Sequence, residues 1–294
     1  MIEKIKKIVG TAGVHERINL KDYCTFKIGG RCKALIEPAS FGELFEVIEI
    51  LENSKQQFKV IGNASNILFG DGFLDVFIVS TKKLTSFEFI DLCVIASCGA
   101  NLSNVISAAL NKELGGLEFL AGIPATIGGA IKMNAGANGH EISSVIKSVT
   151  YFEDGYIKTK TKEELEFAYR SSYFSKNPGA IILFAELELK KTSKSVLRQT
   201  LEKVLLDRAN KTPQGFSAGC VFKNTTKPAG QIIESLGLKG KNVNDAQIST
   251  VHANFIVNNG SAKCKDVMLL INEIKNKAFK KYGIELKLEI EIIK

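Results

Sequence analysis

The chain has 294 residues, 45% of them hydrophobic and 24% charged, which suits an ordinary soluble globular protein with two or three packed domains. Its 39 Lys and Arg against 31 Asp and Glu give a formal charge of +8, but the lysines are scattered singly, which favours a solvated basic surface over a dense anion-binding tract. No helix-turn-helix, zinc-finger or aromatic-basic ribonucleoprotein pattern occurs, so nucleic acid is not an expected partner.

The opening MIEKIKKIVG spaces its apolar residues between charges and lacks the continuous apolar core of a signal peptide. No later run approaches the roughly 20 apolar residues of a membrane span, so a cytoplasmic protein without membrane attachment is expected. Between Glu43 and Asn53 apolar residues recur at helical spacing, and FKVIG after them reads as a short buried strand that leads into GNASN. DVFIVS and DLCVIASCGA are further strands, and NLSNVISAALNKEL is an amphipathic helix capped by Asn101 or Ser103.

After a glycine-rich centre, SSVIKSVTYFEDGYIKTKT alternates about Asp154-Gly155, a hairpin signal because that pair tolerates positive φ. AIILFAELEL is another strand, and KSVLRQTLEKVLLDRAN a helix that follows a domain boundary placed near Lys191. A helix from about Lys265 to Tyr282 and a closing strand, IELKLEIEIIK, complete the chain. That strand alternates strictly, with Ile284, Leu286, Leu288, Ile290 and Ile292 on one face and Glu285, Lys287, Glu289 and Glu291 on the other. Strands and helices without regular alternation predict an α+β fold rather than a doubly wound sheet.

Six cysteines, at 24, 32, 93, 98, 220 and 264, form no Cys-x-x-Cys pair and have no His pair nearby. They read as reduced thiols, with no disulfide framework and no metal site. VIGNASNILFGDGF and LAGIPATIGGAIKMNAGANG have the glycine and small residues that let main-chain N–H groups approach a phosphate, or that simply mark tight turns. Neither holds a Rossmann or P-loop pattern. Arg170 in FAYRSSYF suits a carboxylate, although taken alone a surface arginine is the commoner case. Cys220 in FSAGCVFKN reads alone as a packing thiol, and Glu289 as a solvent-facing charge.

In series, these segments resemble UDP-N-acetylenolpyruvylglucosamine reductase, the MurB family. The resemblance is carried by TFKIGG at 25 to 30, IGNASNIL at 61 to 68, GIPATIGGAIKMNAGANG at 122 to 139, YRSSYF at 169 to 174, AGCVFKN at 218 to 224, HANFIVN at 252 to 258 and the terminal strand. It implies a two-lobed FAD-binding domain of PCMH type followed by a smaller α+β substrate-binding domain, with boundaries at 1–83, 84–190 and 191–294. It further implies non-covalent FAD, NADPH as reductant, a UDP-sugar substrate and a monomer. The short spacing after YRSSYF resembles the branch of the family that lacks a tyrosine-bearing loop.

By motif, FAD falls to Gly62, Asn63, Ala64, Ser65 and Asn66, and to Gly122, Ile123, Pro124, Ile127, Gly128, Gly129, Met133, Asn134 and Gly136. Asn63 is the residue expected to take the left-handed conformation in the first loop. Tyr169, Lys211, Lys223 and Asn224 match substrate contacts. Arg170 and Glu289 would flank the substrate carboxylate, stabilising charge that develops as hydride reaches the enolpyruvyl C3. A proton must then reach C2, and Cys220 stands where most of the family has serine. A free thiol, with a pKa of about 8.5, is largely protonated at neutral pH and is a much stronger acid than an alcohol. Arg170 or Lys223 would lower that value if near it.

Two other readings compete. Another FAD-dependent oxidoreductase acting on a small carbohydrate or alcohol explains the glycine segments but not Arg170, Cys220 and Glu289 together. A catalytically silent sugar-nucleotide or flavin-binding module predicts loss of one of those three positions.

Overall fold

The computed structural model describes Met1–Lys294 and divides into two compact units. The first comprises Met1–His15, Ala34–Asn63 and Val76–Asp207, and the second Glu16–Lys33, Ala64–Asp75 and Arg208–Lys294. The parts expected from sequence follow chain order. The contact units do not, because residues 16–33 and 64–75 group with the last segment.

In the first unit, Ser40 starts the helix Phe41–Asn53 by accepting the Glu43 N–H at 3.1 Å, while the Glu43 carboxylate reaches back to the Ala39 N–H at 2.8 Å. Leu44, Val47, Ile48 and Leu51 line one face of this helix and are fully buried. The unit's main sheet has the order Tyr156–Thr161, Ile146–Glu153, Ile181–Glu188, Cys93–Ser97, Phe87–Ile90, all antiparallel. Its outer hairpin turns at Asp154 and Gly155, with φ of 55° and 81°, so that Glu153 faces Tyr156 in a tight two-residue turn. Asn101 caps the helix Leu102–Asn111 through the Ser103 N–H. Val105, Leu120, Tyr151, Phe174 and Leu187 share one core with the Phe41–Asn53 helix.

In the second unit, Asn242–Val243, Ala246–Ile248 and Ile256–Asn258 form a three-stranded antiparallel sheet. The helix Cys264–Tyr282 buries Val267, Leu270, Ile271, Ile274 and Ala278. Its first turn is closed by Asp71, whose carboxylate accepts the Cys264 N–H at 2.8 Å and the Lys265 N–H at 3.0 Å. Gly30 of TFKIGG packs so closely on Gly72 that a Cβ would strike the Gly72 carbonyl oxygen. Only glycine fits there.

The alternating terminal segment corrects the sequence expectation. Only Glu291–Ile293 forms a strand, pairing in parallel with Ile67–Phe69. Residues before it are tied at single points, with Leu288 bridging to Phe222. No helix is long and apolar enough to cross a membrane.

Candidate functional site

The two glycine-rich stretches meet within the first unit. The Asn63 carboxamide Nδ2 donates to the Pro124 carbonyl at 3.3 Å, and a Cβ on Gly62 would collide with Thr126 Oγ1. Thr126 in turn accepts the Gly129 N–H at 3.3 Å and starts the short helix Ile127–Lys132. That helix lies against Cys98, where the Gly128 N–H donates to the Cys98 carbonyl at 2.8 Å and a Cβ on Gly128 would come within 2.9 Å of the Cys98 side chain. Glycine is required at 62 and 128 for this close loop packing.

From Gly62 to Asn66 no main-chain N–H donates to a main-chain carbonyl. A half-buried run of donors in a glycine-gated loop is chemically suited to a pyrophosphate, so these residues fit an FAD. The left-handed residue in the loop is Ala64, at φ 49°, rather than the expected Asn63. Gly122, at φ 76°, and Pro124 are exposed, with Ile123 half-buried between them. The side chain of Ile127 is fully buried in the core, and its N–H donates to the Ala100 carbonyl at 2.9 Å.

Asn134 is tied into the protein by its side chain. It is fully buried at φ 44°, with Nδ2 donating to Glu141 Oε2 at 2.7 Å and to the Ala168 carbonyl at 3.0 Å, and Oδ1 accepting the Ser143 N–H at 3.2 Å. Its carboxamide ties the end of the glycine stretch to the turn that carries Arg170. Ala168 and Ser171 pair across Tyr169-Arg170, leaving Arg170 at φ 51°, a conformation in which a branched or long side chain is disfavoured. The guanidinium donates from Nη2 to the Gly136 carbonyl at 2.9 Å and from Nη1 to the Asn134 carbonyl at 3.4 Å, and it lies 5.1 Å from the Tyr169 ring centroid. Arg170 is thus a fixed cation at the end of the second glycine stretch, where Met133 and Gly136 are half-buried.

The second unit places Cys220 and Glu289 on neighbouring extended segments. Cys220 bridges to Phe255 on one side, while on the other the Glu289 N–H donates to the Val221 carbonyl at 2.8 Å and Phe222 bridges to Leu288. The Asn66 carboxamide donates to the Glu289 carbonyl at 3.0 Å and the Asn66 carbonyl accepts the Glu291 N–H at 2.9 Å. A residue expected to touch the cofactor therefore also sets the backbone of Glu289. Cys220 and Glu289 are both half-buried.

Among the expected substrate contacts, the Lys223 N–H donates to the Lys287 carbonyl at 2.9 Å, and Asn224 Oδ1 accepts the Ala229 N–H at 3.0 Å, at the start of the helix Ala229–Ser235. Lys211 is exposed at the end of the helix Lys194–Lys211, and Tyr169 is 44% exposed in the Arg170 turn.

One residue escaped the sequence reading. Arg208, on the last turn of that same helix, is held below the ordinary arginine range by burial, with the charge of Cys220 acting against that shift. Arg208 is therefore a cation within electrostatic reach of the Cys220 sulfur. Burial pushes the Cys98 thiol up to about 12 and those of Cys32 and Cys264 up to about 11, and Cys24 and Cys93 are also raised. No group of three or more His, Cys, Asp or Glu is placed to hold a metal ion.

Known proteins resemble this chain along nearly its whole length. Residues 32–158 match the family model described as an FAD binding domain, and residues 211–293 match the C-terminal domain of UDP-N-acetylenolpyruvoylglucosamine reductase. The reductase of Thermotoga sp. (strain RQ2) is 40% identical over 99% of this chain and 98% of its own length. That of Clostridium novyi is 36% identical over 99% of this chain and 95% of its own. The crystal structure of the Thermus caldophilus enzyme superposes with a TM-score of 0.83 at 35% identity, covering 95% of this chain and 98% of that one. With identities well above 30% over almost its full length, this chain belongs to the UDP-N-acetylenolpyruvoylglucosamine reductase (MurB) family of FAD-binding oxidoreductases.

Proposed function

We propose that this protein uses NADPH to reduce UDP-N-acetylenolpyruvylglucosamine to UDP-N-acetylmuramate, a step of peptidoglycan precursor synthesis. When bound, FAD would supply the hydride chemistry between NADPH and C3 of the enolpyruvyl group. The loop from Gly62 to Asn66 would hold that cofactor through main-chain donors, and the stretch from Gly122 to Gly136 would pack against it.

The chain's own residues then manage charge and one proton. Arg170 binds the substrate carboxylate and stabilises the negative charge that grows there when C2 gains carbanion character. Glu289 orients that same carboxylate. The Cys220 thiol donates its proton to C2, leaving a thiolate that the Arg208 charge stabilises. Tyr169, Lys211, Lys223 and Asn224 contact the rest of the sugar nucleotide. Each role is assigned within a single chain, which fits a monomeric cytoplasmic enzyme.

The observation that supports this reading most directly is the backbone pairing that seats the Glu289 N–H on the Val221 carbonyl, next to Cys220. It holds the main chains that carry Cys220 and Glu289 beside each other in one unit, which supports giving the two residues neighbouring roles. Separate measurement of the two half-reactions tests the assignment. In Cys220→Ala, reduction of the bound flavin by NADPH proceeds at its original rate, while its reoxidation by the enolpyruvyl substrate falls at least about a hundredfold. Equal rates in both half-reactions would remove Cys220 from the proton step.

A further inference from the structure

The segment from His252 to Asn258 touches the acid-bearing strand at several points. Asn254 is 3% exposed, and its carboxamide makes the two bonds that a neighbouring strand would make. Oδ1 accepts the Phe222 N–H at 2.9 Å, and Nδ2 donates to the Phe222 carbonyl at 2.8 Å. The Asn254 carbonyl accepts the Val221 N–H at 2.8 Å. Asn254 is itself held, because its N–H donates to His252 Nδ1 at 3.2 Å. That bond requires an unprotonated Nδ1, and burial lowers the His252 pKa accordingly.

These bonds converge on Val221 and Phe222, the two residues after Cys220. The opposite side of the same two residues is occupied by Glu289 and Leu288. A main chain gripped from both sides has little freedom to rotate. Removing the carboxamide would leave the N–H and carbonyl of a 1% exposed Phe222 without partners. The backbone would then shift to recover them, and the Cys220 sulfur would move with it.

We propose that Asn254 is a positioning residue for proton delivery, acting as a one-residue strand that fixes Val221 and Phe222 and, through them, the Cys220 thiol. The assignment rests on Cys220 being the proton donor. Because Asn254 acts through Cys220, its effect should appear in the oxidative half-reaction and disappear when the thiol is absent.

The test is a double-mutant cycle on the FAD-loaded full chain, with both half-reactions followed by rapid mixing and folding followed by thermal unfolding. Asn254→Leu removes both bonds, and Asn254→Asp keeps the acceptor for the Phe222 N–H while losing the donor. NADPH reduction of the flavin is expected to stay within about twofold in both variants. Reoxidation by the enolpyruvyl substrate should fall about tenfold or more in Asn254→Leu and less in Asn254→Asp, as a displacement of the donor by a fraction of an ångström implies. In a Cys220→Ala background the same substitutions should cost less than about twofold.

If Asn254→Leu does not fold, Asn254→Asp carries the same cycle. Parallel loss of both half-reactions, undiminished reoxidation in Asn254→Asp, or a full additional loss in the Cys220→Ala background would overturn the proposal. Unchanged reoxidation in Cys220→Ala alone would instead overturn the proton-donor assignment on which it rests.

Discussion

A thiol donates a proton only while it is protonated, so Cys220, as the proposed proton donor, would give this protein an alkaline limit that a serine would not impose. The Arg208 charge favours the thiolate and therefore lowers the pH of that limit. Replacing Arg208 by methionine raises the thiol pKa, and the alkaline limb of the reoxidation rate is expected to move to higher pH. A pH profile in which the limb stays put or moves down would contradict this coupling.

Thiol accessibility gives a second check. Burial raises the other five thiols, whereas Cys220 is half-buried beside a cation. Alkylation at mild pH, read by peptide mass, should therefore label Cys220 first, and the substrate should protect it. Labelling that begins at Cys98 or Cys32 would contradict the assignment.

Backbone strain adds a third. Ala64 at φ 49° carries a Cβ in a region that costs about 1–2 kcal/mol. Part of that gain is offset by the extra freedom glycine brings to the unfolded chain, so Ala64→Gly should stabilise the apoprotein by about 1 kcal/mol, measured by denaturant unfolding. A destabilised Ala64→Gly variant would show that the strain is relieved elsewhere.

The residues themselves were unevenly legible in the sequence. Arg170, Cys220 and Glu289 became readable only as a series, since each alone has a commoner structural explanation. Asn134 was placed at the cofactor because it lies in the glycine stretch, yet its carboxamide is consumed by Glu141, Ala168 and Ser143. Arg208 carried no local signal, because its proximity to Cys220 is created by how the chain returns after the helix Lys194–Lys211.

At the scale of elements, periodicity located the helices and the central hairpin well. Helical spacing over Glu43 to Asn53 describes most of the helix Phe41–Asn53, and Asp154-Gly155 turns where its φ tolerance predicts. The terminal segment was less legible. Alternation reports an extended chain with one buried face, but it does not name a ladder partner. Leu286 and Ile290 are buried as the pattern demands, while regular pairing is confined to Glu291–Ile293 against Ile67–Phe69.

The helix Cys264–Tyr282 owes part of its start to Asp71, a residue far away in sequence. Asp71→Ala should destabilise the protein by about 1–2 kcal/mol, the usual cost of losing a cap, as seen in denaturant unfolding. A change under a few tenths of a kcal/mol would mean that the Asp266 carboxylate, which accepts the Lys263 N–H at 2.9 Å, suffices by itself.

At the scale of the whole molecule, the sequence suggested consecutive parts, whereas the contacts gather residues 16–33 and 64–75 with 208–294. Local patterns are blind to such grouping, since it depends on long-range bonds such as Thr25 Oγ1 to the Ser217 carbonyl at 2.8 Å and Asn258 Nδ2 to the Phe26 carbonyl at 3.1 Å. Those bonds join TFKIGG, FSAGC and HANFIVN, three segments whose order along the chain carried the resemblance. Their spatial union in one unit explains why they occur together.

The proposed activity is turnover of the enolpyruvyl sugar nucleotide. NADPH oxidation by the FAD-loaded protein, followed with and without UDP-N-acetylenolpyruvylglucosamine, should be slow alone and accelerate sharply on addition, yielding one UDP-N-acetylmuramate per NADPH consumed. NADPH oxidation that is indifferent to that substrate, or a purified protein that takes up no FAD, would contradict it.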